Sequence, residues 1–240
     1  MDEISILKAR AIYYNLFSRF FVYTKEMTHY LEIINILKVL EQNPLDDASQ
    51  QAVKNLLNML DSTSNKALLQ EYDDIFHNPA SKIVRLTASY YDEGVESGKK
   101  RVEMLQFLAK TTIRRDEKHF SEYEDSVGFI FTLLAQLLEH TIEKKENYKN
   151  TVHCIFSQIL NEFIDEFAKE VYEHKQAKIF KELTVLLHSF IAFERLYLEI
   201  SKPLQKEKLN KEDFRDKHLS QEEKQRRAKN KALKALGPKV

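Results

Sequence analysis

Apolar positions recur at helical spacing along almost the whole chain. Ile4, Leu7, Ala11, Tyr14 and Phe21 define a stripe over residues 3–22, widened by Phe17 and Phe20. A second stripe of Met27, Tyr30, Leu31, Ile34, Leu37 and Val39 predicts a helix over 25–42 that stops before Pro44. The run "NPLDDASQQAVKNLLNML" joins a turn to an acidic helix start, which suits the positive end of a helix dipole. "DSTSNKALLQEYDDIF" supplies capping residues and then a helix that Asn78 and Pro79 end. Residues 96–110 predict a helix with Val102, Leu105, Phe107 and Leu108 on its apolar side, followed by the polar connection "TTIRRDEKHFSEYEDS". "VGFIFTLLAQLLEHTIE" is apolar nearly all round and marks a central buried helix. Two long helices fit 150–173 and 176–200, and Pro203 closes this body. The pattern has no repeat period. It predicts an all-α, single globular bundle of about eight helices over 1–203, broken by one long irregular loop near 77–95.

Composition narrows the picture. Only 4 Gly and 4 Pro occur in 240 residues, which favours long helices and leaves little material for hairpins. Neither a dinucleotide fingerprint nor a phosphate-binding P-loop can be written from Gly94, Gly98, Gly128 and Gly237. The lone Cys154 lies in an apolar helical context that predicts a buried, inert thiol, and it allows no internal disulfide. No signal peptide is evident at the N-terminus, and no apolar run approaches the ~18 residues of a membrane span. A cytoplasmic protein without stable membrane insertion is expected.

The formal net charge of zero conceals an asymmetry. Residues 202–240 hold 13 Lys and Arg against 6 Asp and Glu, a net of +7, so the first 201 residues carry −7. The acidic body favours cationic ligands over nucleic acid. The stretch 204–240 reads as a basic tail, part helical or disordered, with one marginal amphipathic segment near 220–236.

The helix that ends at "EYDDIFHNPA" introduces the candidate chemistry. It is followed by "SYYDEG", and the connection before the central helix contains "EYEDS". These are three acidic-tyrosine patches, all at helix ends or in connections. Each acidic residue has a sufficient structural reason in the helix dipole. If the bundle brings the patches together, they form a groove with carboxylates for cations and aromatic faces for apolar groups or arginine. Other constellations carry less. Glu26 and His29 make a Glu-x-x-His, and Asp116 and His119 its Asp counterpart, but a di-metal bundle needs two such pairs plus further carboxylates on buried faces. His188 in "VLLHSF" reads as a hydrogen-bonded core residue, and no nucleophile has a recognisable setting. The pairs Arg114-Arg115 and Arg226-Arg227 read as solvated charged surface. No enzymatic function and no metal or other cofactor is expected.

The same segments, in order, resemble the TorD/DmsD family of redox-enzyme maturation chaperones. "ARAIYYNLFSRFF" resembles that family's opening helix. "EYDDIFHNP" resembles its Glu-Tyr-x-x-Leu-Phe segment before a Pro-containing loop, and "ASYYDEG" its Ser-x-Tyr. "EYEDSVGFIFTLLAQL" resembles its Glu-x-x-Asp-His motif leading into an apolar helix. The family's Asp-His pair is Asp125-Ser126 here, the Pro common before that Asp is Glu124, and the basic tail is extra relative to short members. The resemblance, over roughly 5–200, implies a cytoplasmic all-helical chaperone, monomeric or homodimeric. Its partner would be the catalytic subunit of a molybdenum or tungsten oxidoreductase. It would bind that subunit's N-terminal twin-arginine signal peptide and assist cofactor insertion before export. Formate dehydrogenase is the client suggested only by basic extensions in other family members. On this reading Tyr72, Phe76, Tyr90 and Tyr91 supply an apolar wall, while Asp92, Glu93, Glu122, Glu124 and Asp125, beside Ser126, pair with the cations. Two rivals stand beside it. A helical metalloenzyme would use Glu26 and His29; a helical adaptor would use the basic tail to reach nucleic acid or an acidic partner.

Overall fold

The structure is a computed structural model and describes residues 2–117 and 120–203. His119 and the basic stretch 204–240, with the helix expected near 220–236, lie outside the described residues. The described chain forms α1 (Glu3–Phe21), α2 (Met27–Glu41), α3 (Asp47–Met59), α4 (Lys66–Phe76), α5 (Ala88–Glu93), α6 (Lys99–Ala109) and α7 (Val127–Ile142). It continues through α8 (Lys149–Ile155), a π-helical turn (Phe156–Leu160), α9 (Asn161–Tyr172) and α10 (Ile179–Tyr197). Among the described residues there is no strand, only an isolated antiparallel bridge between Thr87 and Ser126.

Local chemistry sets most boundaries. The Asp2 carboxylate accepts the Ser5 N–H at 2.9 Å and starts α1, and Asp46 and Ser49 form a reciprocal capping box at α3. Gly94, at φ +71°, closes α5 in the left-handed conformation that glycine adopts without strain. The most apolar helix, α7, is the central one and lies along α1. A Cβ on Gly128 would meet the Phe21 carbonyl oxygen at 2.8 Å, so glycine is what lets these two backbones approach. Around this contact Phe131 packs 5.3 Å from Phe17, and Phe190 packs 5.5 Å from Phe17. The fully buried Glu194 ties α10 to α1: its carboxylate accepts Arg10 Nε (2.6 Å), Arg10 Nη2 (2.8 Å) and the Tyr14 hydroxyl (2.6 Å).

Several expectations change. The irregular segment near 77–95 contains the short α5, and the next helix begins at Lys99 rather than at 96. That helix buries Met104, Leu108 and the stem of Lys100, while Val102 and Leu105 face solvent. The Lys100 ammonium explains the rotation. It donates to Glu103 Oε2 (3.0 Å) and to the Gln158 carbonyl (2.8 Å), in the π-helical turn. That turn sits inside what the pattern predicts as one helix over 150–173; the chain is continuously helical from 149 to 172. His188 is exposed rather than in the core, Cys154 is half-buried, and Ile4, Leu31 and Val39 are exposed although they fall on the apolar stripes.

Candidate peptide-binding site

The three acidic-tyrosine patches converge through a Tyr72–Glu122 hydrogen bond and an Asp125 cap on α5. Lys178, which precedes α10, offers no side-chain cap. Glu71 on α4 supplies one from a distance: Oε1 accepts the N–H groups of Lys178 and Phe180, both at 2.8 Å, and Oε2 accepts that of Ile179 at 3.1 Å. The next residue performs the matching task at the other end of a helix. The Tyr72 hydroxyl lies between the Phe21 carbonyl at the end of α1 (3.1 Å) and Glu122 Oε1 (3.3 Å), with one proton to serve either. Burial pushes the Tyr72 phenol well above its ordinary value.

The segment 120–126 is fastened just as closely. Asp125 Oδ2 accepts the Ser89 N–H (2.9 Å), and its backbone carbonyl accepts the Ala88 N–H (2.9 Å). Asp125 therefore caps α5 from a remote segment, where the preceding Thr87 makes no side-chain cap. Ser126 caps its own helix, its hydroxyl accepting the Phe129 N–H. The Val127 N–H donates to the Leu86 carbonyl at 2.8 Å, which completes the Thr87–Ser126 bridge. Glu124 is clamped by two guanidiniums, Arg101 Nε at 2.7 Å and Arg115 Nε at 2.8 Å. Burial raises its carboxyl, but the Arg101 hydrogen bond and the two charges outweigh that and hold it below the ordinary value. Arg115 also donates to the Phe120 and Glu122 carbonyls.

The sequence-derived residues thus divide into buried and half-buried sets. Tyr72 and Phe76 are 2% and 4% exposed, their rings 4.7 Å apart and packed on Phe180, so the wall expected of them faces the core. Glu124, Asp125 and Ser126 are buried and serve partners within the chain. Glu93 caps α6 by accepting the Lys99 N–H at 2.8 Å. Tyr90, Tyr91, Asp92, Glu93 and Glu122 are half-buried. Tyr91 stacks on Phe163 at 5.5 Å, with its hydroxyl shared between the Arg85 carbonyl and Glu170 of α9. Burial and the Glu170 charge raise its phenol far above the ordinary range. Burial also raises the Glu122 carboxyl, whose Oε2 has no hydrogen-bond partner among the described residues.

Sequence reasoning missed Glu71, Arg101, Arg115 and Glu170. Arg115 reads as solvated surface beside Arg114, yet its side chain is only 12% exposed. Arg114 turns its guanidinium onto the carbonyls that end α6. Only Glu71 left a signal, as an acid inside the quoted motif. Elsewhere His29 hydrogen-bonds to Arg19 through both ring nitrogens, and no group of three or more metal-ligating side chains stands together among the described residues.

The described residues therefore form an all-helical bundle whose acidic-tyrosine segments meet at helix ends, and none of their helices is long and apolar enough to cross a membrane. Residues 42–169 match the family model described as "Nitrate reductase delta subunit". The chain belongs to that family, the TorD-like family of redox-enzyme maturation chaperones. A crystal structure described as a candidate redox enzyme maturation protein from Archaeoglobus fulgidus is similar in fold, with a TM-score of 0.50 and 20% identity. The alignment covers 77% of this chain and 93% of that one. No protein of curated function matches the sequence.

Proposed function

We propose that this chain is a chaperone for the catalytic subunit of a molybdenum or tungsten oxidoreductase and binds its N-terminal twin-arginine signal peptide. It would hold the subunit in the cytoplasm until its cofactor is inserted and then release it for export. The observation that carries this reading is the convergence of the three acidic-tyrosine segments, through the Tyr72–Glu122 hydrogen bond and the Asp125 cap on α5. A peptide with two guanidiniums and an apolar stretch needs carboxylates beside aromatic surface, and this end of the bundle combines them. The half-buried Tyr90, Tyr91, Asp92 and Glu122 form the contact surface in this reading, with Glu124 the buried carboxylate beside them; Tyr72, Phe76, Glu93, Asp125 and Ser126 shape it from beneath.

Titration calorimetry with twin-arginine signal peptides of molybdoenzymes from the same genome, formate dehydrogenase among them, tests the reading. Each peptide is paired with a counterpart carrying Gln-Gln in place of Arg-Arg. Binding of at least one peptide, with a clear loss in its counterpart, is expected. Equal binding of every pair would refute recognition of the arginines.

A further inference from the structure

Glu124 sits where the sequence places a carboxylate for a client's arginine pair, and it already holds an arginine pair. Arg101 Nε reaches Oε2 at 2.7 Å and Arg115 Nε reaches Oε1 at 2.8 Å, so each carboxylate oxygen carries its own guanidinium. The Arg101 guanidinium lies 4.3 Å over the Tyr123 ring and donates to Ser97 Oγ at 2.7 Å. Arg115 adds the Phe120 and Glu122 carbonyls and the exposed Glu117. Two guanidiniums on one carboxylate, with an aromatic face on one of them, is the environment a diarginine segment needs.

We propose that Arg101 and Arg115 are an internal stand-in for the client's arginine pair, displaced from Glu124 and Tyr123 when the signal peptide binds. This rests on the twin-arginine reading above and assigns a control to that site. Glu124 is only 4% exposed, and a buried carboxylate with no partner is costly, so an arginine-reading site needs a substitute ligand while it is empty. Exchange of one guanidinium pair for another leaves Glu124 satisfied in both states and filters against lysine, which lacks the planar fork. The two internal arginines come from different segments, α6 and the connection after it. Their release would loosen the connection before α7, because the Arg101–Glu124 pair ties it to α6 and Arg115 holds the Phe120 and Glu122 carbonyls within it.

The experiment uses the full chain and a synthetic peptide with an Arg-Arg pair before an apolar stretch, beside Lys-Lys and Gln-Gln counterparts. Hydrogen exchange on the unaltered chain comes first. Saturating Arg-Arg peptide is expected to speed exchange of the Phe120 and Ser126 amides, which bond within this connection. Unchanged or slower exchange there, with the peptide bound, overturns the stand-in while leaving peptide recognition intact. Arg101→Gln and Arg115→Gln, checked for native circular dichroism, are each expected to tighten Arg-Arg peptide binding by ~5-fold or more, because a competing closed state lowers apparent affinity in proportion to its population. Folded variants that bind no more tightly than the parent, or more weakly, overturn the proposal. If the parent binds none of the three peptides, binding gained in either variant supports it. No binding by parent or variants removes the twin-arginine reading and this inference together.

Discussion

Glu71→Ala should destabilise the chain strongly although it opens only a small void. The carboxylate is 8% exposed and accepts three N–H groups at the start of α10, two of them from the buried residues Ile179 and Phe180. A hydrogen bond to a charged group contributes about 1.5–3 kcal/mol, and loss of an N-cap costs about 0.5–2 kcal/mol. The three bonds share one acceptor group and are not additive, so the expected loss is about 3 kcal/mol, a large part of the ~5–15 kcal/mol that holds a typical domain folded. For a chain of this size that lowers the thermal midpoint by about 6–12 °C. Glu71→Gln separates charge from shape. Its amide oxygen can still accept from Lys178 and Phe180, but its NH2 group opposes the Ile179 N–H, so roughly half the loss is expected. Equilibrium urea unfolding followed by far-ultraviolet circular dichroism reads both, with an unchanged denaturant slope as the two-state control. A loss under ~1 kcal/mol in Glu71→Ala would refute the remote cap, since exposed substitutions commonly fall within ~0.5 kcal/mol.

Gly128→Ala sets a Cβ 2.8 Å from the Phe21 carbonyl oxygen, a backbone atom that cannot swing away, and should cost about 1–3 kcal/mol in the same assay; neutrality would mean α1 and α7 can separate freely. Arg10→Met should cost about 3–5 kcal/mol by stranding the buried Glu194, whereas the double variant with Glu194→Leu should recover much of that loss; equal destabilisation in both would show that packing, not charge, dominates there. Glu122 gives a pH signature. Burial holds its folded-state carboxyl above the ordinary 4.5, so the native chain binds that proton more tightly than the unfolded one. Its contribution is favourable at low pH and is lost as pH rises from the ordinary value through the raised one. Glu122→Gln should therefore gain stability relative to the parent as pH rises toward neutrality, and the opposite trend would exclude burial as the ruling influence.

Helix positions are legible because burial on one side forces a period on the sequence, and few residues punctuate it. Pro44, Pro79 and Pro203 fall outside the helices, in the connections the pattern expects. The face of α6 is misread for a physical reason: the long stem of Lys100 packs inward and its ammonium finds the π-turn carbonyl, so a formally charged residue takes the buried side that Val102 gives up. The irregular loop hides α5 because that helix is nucleated by Asp125, 36 residues further along the chain. A cap supplied by a neighbour leaves a local signature, as at Asp46 and Ser49; a cap supplied from another element leaves none. For the same reason Glu93 and Asp125 read as ligand groups, although both accept backbone N–H groups at helix starts, and Glu71 is missed.

Acid-and-tyrosine motifs at helix ends satisfy two demands with one chemistry, since a carboxylate that caps a helix also suits a guanidinium. Asp125 is buried and caps the helix that carries the half-buried Tyr90 and Tyr91, so substituting it alters that helix. Loss of client binding in an Asp125 variant would therefore report the uncapping of α5 as readily as the loss of a contact. Glu122 discriminates better: it is half-buried, and its Oε1 pairs with the Tyr72 hydroxyl rather than with a helix N-terminus. A client contact at this end of the bundle predicts that Glu122→Gln weakens Arg-Arg peptide binding without lowering the urea midpoint. Binding lost only in variants that also lose stability would assign the motifs to the fold, and would move the client's contact elsewhere on the bundle.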